Sequence, residues 1–242
     1  MARHLSLILG SFVVLVMLGV LLTLGTWQIQ RLYWKLDLIE ARRVALQAPP
    51  LLLTAKDLSA ERVAFLPDFQ RVTVSGTLLN DHEFYLASQF HGDQSGWHVV
   101  TPLRLEDGGA VLIDRGFVPP DHKLPQTRSA GLATGPVSVT GILRHPHGPG
   151  FFTPANQPHD NVWFLIDPAA MARQAGIDHL PDIVIDADST PNDGGFPIGG
   201  QTQTTLDNPH LQYAITWYGL GGLLLIIYLV YCRRYIIDRR QA

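Results

Sequence analysis

Residues Leu211–Cys232 read LQYAITWYGLGGLLLIIYLVYC and are followed at once by Arg233 and Arg234. No Asp, Glu, Lys or Arg interrupts the run. About 20 apolar residues, at ~1.5 Å of rise each, cross a hydrocarbon core of ~30 Å, so the stretch predicts a membrane-spanning helix. Asp207, Asn208 and His210 precede it, whereas Arg233, Arg234, Arg239 and Arg240 follow it. Lys and Arg collect on the cytoplasmic side of spans, which puts the expected C-terminus in the cytoplasm. The alternative, a buried helix of a soluble protein, fits poorly with aromatic residues near both ends.

A second apolar run, LSLILGSFVVLVMLGVLLTLGT, covers Leu5–Thr26 and is also free of charge. A cleaved signal peptide is its rival reading. The run outlasts a signal-peptide core of roughly 7–15 residues, and the bulky Trp27 follows where a small-x-small cleavage site belongs. Two uncleaved spans place both termini on one side. Gly10, Gly19 and Gly25 in the first span, and Gly219, Gly221 and Gly222 in the second, offer low-profile surfaces for close helix contact.

Between Arg31 and Asp207 stand 13 Lys/Arg against 20 Asp/Glu. An acidic middle region excludes a basic groove for nucleic acid, which needs clustered cations. Cys232 is the sole cysteine, so no disulfide, CxxC metal centre or thiol chaperone chemistry is available to that region.

Ile29, Leu32, Leu36 and Ile39 share one helical face, which predicts a helical neck that stops before Pro49–Pro50. From residue 71 the period changes to two. Strands are expected over 71–79, 82–88, 96–103, 110–118, 136–144, 161–167 and 183–186, separated by Gly-, Asp- and Pro-rich turns. Asp167 before Pro168 predicts a capped helix start, and Gly176 its left-handed stop. The expected fold is an α+β membrane protein: two transmembrane helices flanking a mostly antiparallel β extramembrane domain with one or two helices. Its expected parts are a cytoplasmic N-terminus (1–4), transmembrane helix (5–26), helical neck (27–48), periplasmic β-rich domain (49–209), second transmembrane helix (210–232) and cytoplasmic basic tail (233–242).

This topology brings Trp27, Gln28 and Arg31 to the depth of His210, Tyr213, Thr216 and Trp217. His210, Tyr213 and Trp217 fall at i, i+3 and i+7, one face of a helix. Such a face offers an imidazole to a metal and aromatic surface to a flat apolar ligand, with Arg31 or Lys35 to meet a carboxylate. Haem needs that combination. The same aromatics also suit the ordinary belt at a membrane interface. His145, His147 and His159 sit in a Pro/Gly-rich loop and could form a copper or zinc site, or stand as surface histidines. Arg115 suits either a buried ion pair or a partner contact. No Walker or dinucleotide loop, HExxH or GxSxG motif occurs, so no catalytic residue is assigned and the chain is not expected to be an enzyme.

Five segments together resemble the Surf1 family of membrane proteins that assist biogenesis of haem-copper cytochrome oxidase: GTWQIQRLYWK (25–35), SGWHVVTPL (95–103), VLIDRGFVP (111–119), FTPANQPHDNVWFLIDPAAMA (152–172) and GGQTQTTLDNPHLQYAITWYGL (199–220). The resemblance implies an assembly factor that binds haem a transiently and aids its delivery to the oxidase large subunit. It implies His210 as axial ligand of the haem iron, through the NxHLxYAxTW pattern. The surrounding binding residues would be Trp27, Gln28, Arg31, Tyr213 and Trp217. Arg115, Gly116, Phe117, Asn156 and Trp163 are implied as partner-contact or structural positions. Phe117 replaces the family's Trp, and Gln203 stands where many members carry a basic residue. Expected partners are the oxidase large subunit, haem a synthase, copper-insertion factors and the lipid bilayer. The alternatives are a haem-free scaffold for early oxidase intermediates and a histidine-based periplasmic copper chaperone. The absence of a transit-type leader favours a bacterial inner membrane.

Overall fold

A computed structural model of the chain describes residues 2–241, with side chains over 7–237. Arg3, Asp238, Arg239 and Arg240, which contribute to the expected charge asymmetry, lie outside the side chains described. The chain divides into two compact parts, Met1–Ala41 with Thr205–Ala242, and Arg42–Thr204.

The first part is a pair of helices. α1 (Ala2–Gln47) is unbroken from the apolar run through the neck and stops just before Pro49–Pro50, as the missing N–H and pre-proline sterics require. α4 (His210–Gln241) carries the second apolar run. Both contain segments long and apolar enough to cross a membrane. They run antiparallel: Ser11 meets Tyr228 at 2.5 Å, while Thr26 meets Tyr218 at 3.0 Å. Between those contacts Gly221 lies against Leu18 and Leu21. Of the six glycines, Gly25 and Gly221 face the partner helix, and the other four face open space. At Gly25 a methyl group would come within 2.8 Å of the Tyr218 ring, so the close approach depends on the missing side chain.

The second part is a β-barrel. Its strands are β1 (Leu51–Leu52), β2 (Arg71–Leu78), β3 (Phe84–His91), β4 (Gln94–Leu105), β5 (Ala110–Val118), β6 (Pro136–Arg144), β7 (Val162–Trp163) and β8 (Val184–Ala187). The order β2-β6-β8-β5-β4 closes on itself because β4 also pairs with β2. Closure removes the free edges that an open sheet would expose. β3 and β7 extend the sheet from β4, and β1 flanks β2. Most pairings are antiparallel, but β1–β2, β3–β7 and β5–β8 are parallel; the long β5–β8 connection passes through β6, β7 and the short helix α3 (Pro168–Ala175).

Alternation along the strands builds two main cores and a small third cluster of Tyr85, Val99 and Val118. Val111 and Ile113 of β5 join Val72, Val74, Leu103, Leu143 and Ile185 inside the barrel. The intervening Ala110 and Leu112 face outward and pack with Phe84, Trp163 and Met171. β5 is therefore buried along its whole length, which explains its near-continuous apolar sequence. Asp167 caps α3 by accepting from the Ala170 N–H at 2.9 Å, and Gly176 ends it in the left-handed region. A single-turn α-helix, α2 (Ala60–Val63), and several short 3-10 turns lie in the connections of this part.

One strand expectation is corrected. The apolar alternation over 161–167 predicts a full strand, but pairing covers only Val162–Trp163. Asn156 Oδ1 accepts the N–H groups of both Phe164 and Leu165, at 2.8 and 3.0 Å, and withdraws them from a ladder.

Candidate functional site

The site grows from two helix positions. Gln28 is one helical turn before Leu32 on α1, and His210 is the first residue of α4. The antiparallel pairing of the helices sets them opposite one another. His210 Nδ1 lies 2.7 Å from Gln28 Oε1. A carbonyl oxygen can only accept, so Nδ1 carries the proton in this contact; among the described residues Nε2 has no hydrogen-bond partner, and the tautomer that matches the contact has its lone pair there. This is the arrangement that makes an imidazole a metal ligand: one nitrogen is tied to an acceptor that fixes tautomer and ring direction, and the other is available. Gln28 and His210 are both half-buried.

Neighbouring side chains reinforce the geometry. Asn208 Nδ2 donates to the Leu32 carbonyl at 3.4 Å, which ties the turn before α4 to α1. Among the described residues, no donor meets the buried Asn208 Oδ1. Below the pair, the Tyr218 hydroxyl bonds Thr26 and its ring seats on Gly25. Arg31 lies with its guanidinium carbon 3.8 Å over the Trp34 ring, a stacking contact between residues three apart on α1. Trp27 and Tyr213 are exposed, and Trp217 is half-buried. Among the described residues, no ring contact joins these three. The structure thus brings Gln28 and His210 together, and leaves Trp27, Tyr213 and Trp217 as separate aromatic surfaces on the two helices.

The fit to a haem can be judged from the donor set alone. An imidazole with a held Nδ1–H and a free Nε2 suits an axial position, and three aromatic side chains within two turns suit a flat macrocycle. Asn208, Trp34 and Tyr218 escaped the sequence reading. The Arg31–Trp34 spacing of three was visible there, whereas the roles of Asn208 and Tyr218 depend on the interhelical register.

The barrel places the remaining candidates differently. Arg115 is buried beside Glu83, at 3.4 Å, and also donates to Asn80 Oδ1 and to the Gly131 carbonyl. Arg128 forms the two-pronged pair with Glu83, one contact at 3.0 Å. Burial, with Arg128 alongside, pulls the Arg115 guanidinium down to about 10, against the opposing pull of Glu83. Gly116 has φ +108, and a Cβ there would fall 1.9 Å from the Ile198 carbonyl oxygen. Phe117 and Trp163 are fully buried, and Asn156 is spent on the 164–165 backbone. These five positions hold the barrel together in the structure.

The histidine loop does not gather. His145 uses both ring nitrogens, Nδ1 with Asp68 at 3.0 Å and Nε2 with the Val63 carbonyl at 3.1 Å. His159 projects into solvent beside Asp160, and His147 lines a separate recess. Among the described residues, no group of three His, Cys, Asp or Glu is placed to hold a metal.

Comparison with known proteins matches residues 15–222 to the SURF1 family model. Surfeit locus protein 1 of Rattus norvegicus is 38% identical over 212 residues, covering 81% of this chain and 67% of the relative. The Homo sapiens protein of the same name is 38% identical over 215 residues, 82% of this chain and 69% of the relative. A SURF1-like protein of Monosiga brevicollis is 38% identical over 224 residues, with 87% and 82% covered.

Proposed function

The chain belongs to the SURF1 family, and from that premise we propose that it is a membrane-bound assembly factor for haem-copper cytochrome c oxidase. In this reading it holds haem a transiently on its helix pair for delivery to the large catalytic subunit. One observation carries the proposal: Gln28 accepts the Nδ1 proton of His210 and leaves Nε2 free. Bound there, haem a would supply an iron that takes a nitrogen ligand.

The chain's own residues divide the work. His210 presents the lone pair, and Gln28 holds the ring at a fixed angle. Trp27, Tyr213 and Trp217 give apolar contact to a flat ligand. Arg31, already stacked on Trp34, offers a guanidinium for a carboxylate without having to be ordered on binding. A carrier has to protect its cargo yet release it, and a single protein nitrogen on a partly open helix pair fits that requirement better than a closed pocket. The chain therefore acts as a carrier rather than a catalyst. The helix pair would sit in a bacterial inner membrane with the barrel periplasmic, both termini cytoplasmic, and the barrel meeting the large subunit, haem a synthase or copper-insertion factors.

A second reading, a haem-free scaffold, draws on Phe151 and Phe152. These rings are 96% and 91% exposed on a turn closed by Gly150 and Thr153, and they present an apolar tip to a protein partner. The copper-chaperone reading has less support, since His145 has no nitrogen to give.

The deciding experiment is purification from cells that make haem a, with absorption spectra and metal analysis of wild type beside His210→Ala. Loss or a large change of the haem spectrum supports the axial role. An unchanged spectrum and stoichiometry removes it, and oxidase assembly lost only on altering Phe151 and Phe152 favours the scaffold.

A further inference from the structure

The barrel holds a recess of about 340 Å³ that the haem reading does not use. At its floor two carboxylates are 4% and 6% exposed, Asp114 on β5 and Asp186 on β8. Each of their four oxygens has an internal partner. Asp114 Oδ1 accepts the Gly116 N–H at 3.0 Å, and Oδ2 meets His98 Nδ1 at 2.9 Å. Asp186 Oδ1 accepts Arg144 Nη2 at 2.8 Å, while its Oδ2 accepts Arg144 Nε and the Thr202 hydroxyl, the latter at 2.6 Å.

The donors are not used up. Among the described residues, no acceptor meets His98 Nε2 or Arg144 Nη1. At the rim, Arg42 stacks 3.7 Å over Phe69 and reaches the Gln203 carbonyl at 3.5 Å, and both of those residues line the recess. Among the described residues, no acceptor meets the buried Arg42 Nε. A buried donor without an acceptor costs on the order of 1–3 kcal/mol, which a bound acceptor would recover. The charges facing one another here also fall into pairs: His98 with Asp114, Arg144 with Asp186, and His145 with Asp68. Burial opposes protonation of His98, but its bond to Asp114 prevails and raises it above the ordinary imidazole value. Arg42, whose guanidinium also feels the Asp68 carboxylate, and His147, which lines the recess, stand outside these three bonded pairs.

We infer that the recess binds a small molecule through a single carboxylate, received by Arg42, His98 and Arg144, with its apolar body against Phe69 and Leu86. A single negative charge balances Arg42. A phosphate dianion would bring a second charge against Asp114 and Asp186 with nothing to offset it. The site lies wholly within residues 42–204 and is independent of the haem proposal.

The test is calorimetric titration of sodium benzoate into the full chain in phosphatidylcholine nanodiscs at pH 6, with empty nanodiscs as blank. One saturable benzoate per chain is expected, weakened about tenfold or more in Arg42→Gln, because a charge-assisted hydrogen bond is lost. Inorganic sulfate, a dianion at pH 6, should leave the benzoate curve in place. On wild type labelled with 15N-histidine, the His98 Nε2 resonance, assigned with His98→Gln, should shift over the same benzoate range, so the test does not depend on Arg42→Gln folding. No saturable heat, an unmoved His98 resonance, a folded Arg42→Gln that binds as tightly, or equal displacement by sulfate would each overturn the assignment.

Discussion

Glu83, Arg128 and Arg115 in the barrel, and Gln28, His210 and Asn208 on the helix pair, are both polar clusters held by side-chain hydrogen bonds. The first is closed. Glu83 gives both oxygens to Arg128, Arg115 fills in with Asn80 and the Gly131 carbonyl, and all three charged groups are buried. The second is open: His210 is fixed through Nδ1, Nε2 is left over, and among the described residues no donor meets the buried Asn208 Oδ1. A cluster that uses all its bonding capacity contributes a fixed architecture. One that retains capacity at a fixed position can take a ligand. The recess under Arg42 follows the second pattern, with charged groups of the kind found in the first.

The contrast can be broken at four points. The largest effect is expected from His210→Ala, which should abolish haem retention on purification while the barrel's thermal unfolding stays within ~0.5 kcal/mol of wild type, the usual range for a change outside its core. Glu83→Ala should do the reverse. It leaves two buried guanidinium groups without their carboxylate and should cost the barrel roughly 3–5 kcal/mol by denaturant titration, with His210 unaffected. An equal loss of haem in both variants would erase the distinction between the clusters.

Gln28→Ala sharpens the open side. The imidazole remains but loses its orienting acceptor, so haem affinity should fall about 10–100-fold with the spectral type retained. Gln28→Glu, which still accepts from Nδ1–H, should recover most of it. A spectrophotometric titration separates the two, and an Ala variant as tight as wild type would remove Gln28 from the site.

The smallest effect concerns Asp68 and His145. Burial raises the Asp68 carboxyl, but hydrogen bonds from His145 outweigh it and hold it below 3.8. Burial lowers His145, but its bond to Asp68 outweighs that and holds it above 6.5. A depressed acid contributes above its unfolded value and loses that contribution as pH falls. A raised base contributes below its unfolded value and loses it as pH rises. The pair therefore stabilises most between about pH 4 and 6.5 and less on either side, by well under 1 kcal/mol because both groups are partly exposed. Melting temperature against pH should lose this shallow maximum in Asp68→Asn.

Much of the architecture could be read from the chain. Two uncharged apolar runs define the helices, since length and the absence of charge are one-dimensional properties. The strands over 110–118 and 136–144 matched residue for residue, because a near-continuous apolar run in the first and a period of two in the second each end at Gly- or Pro-bearing turns. Asp167–Pro168 and Gly176 delimited α3 through purely local bonds. The 161–167 strand failed where a side chain outside the segment, Asn156, took its N–H groups. Arg115 was open between ion pair and partner contact because its partner, Glu83, is 32 positions away.

The site divides along the same line. Sequence by itself determined which residues lie at one level of the two apolar helices, because helical rise and a charge-free length fix position along each. It determined neither the pairing of Gln28 with His210 nor which imidazole nitrogen is free. Those required the interhelical register set by Gly25 under Tyr218 and Gly221 beside Leu18. Closure of the barrel through β2 and β4, and the leftover donors around Asp114 and Asp186, likewise came only from tertiary structure. Hydrogen-bond capacity is known for each residue in advance, but what remains of it depends on partners that the fold brings from far along the chain.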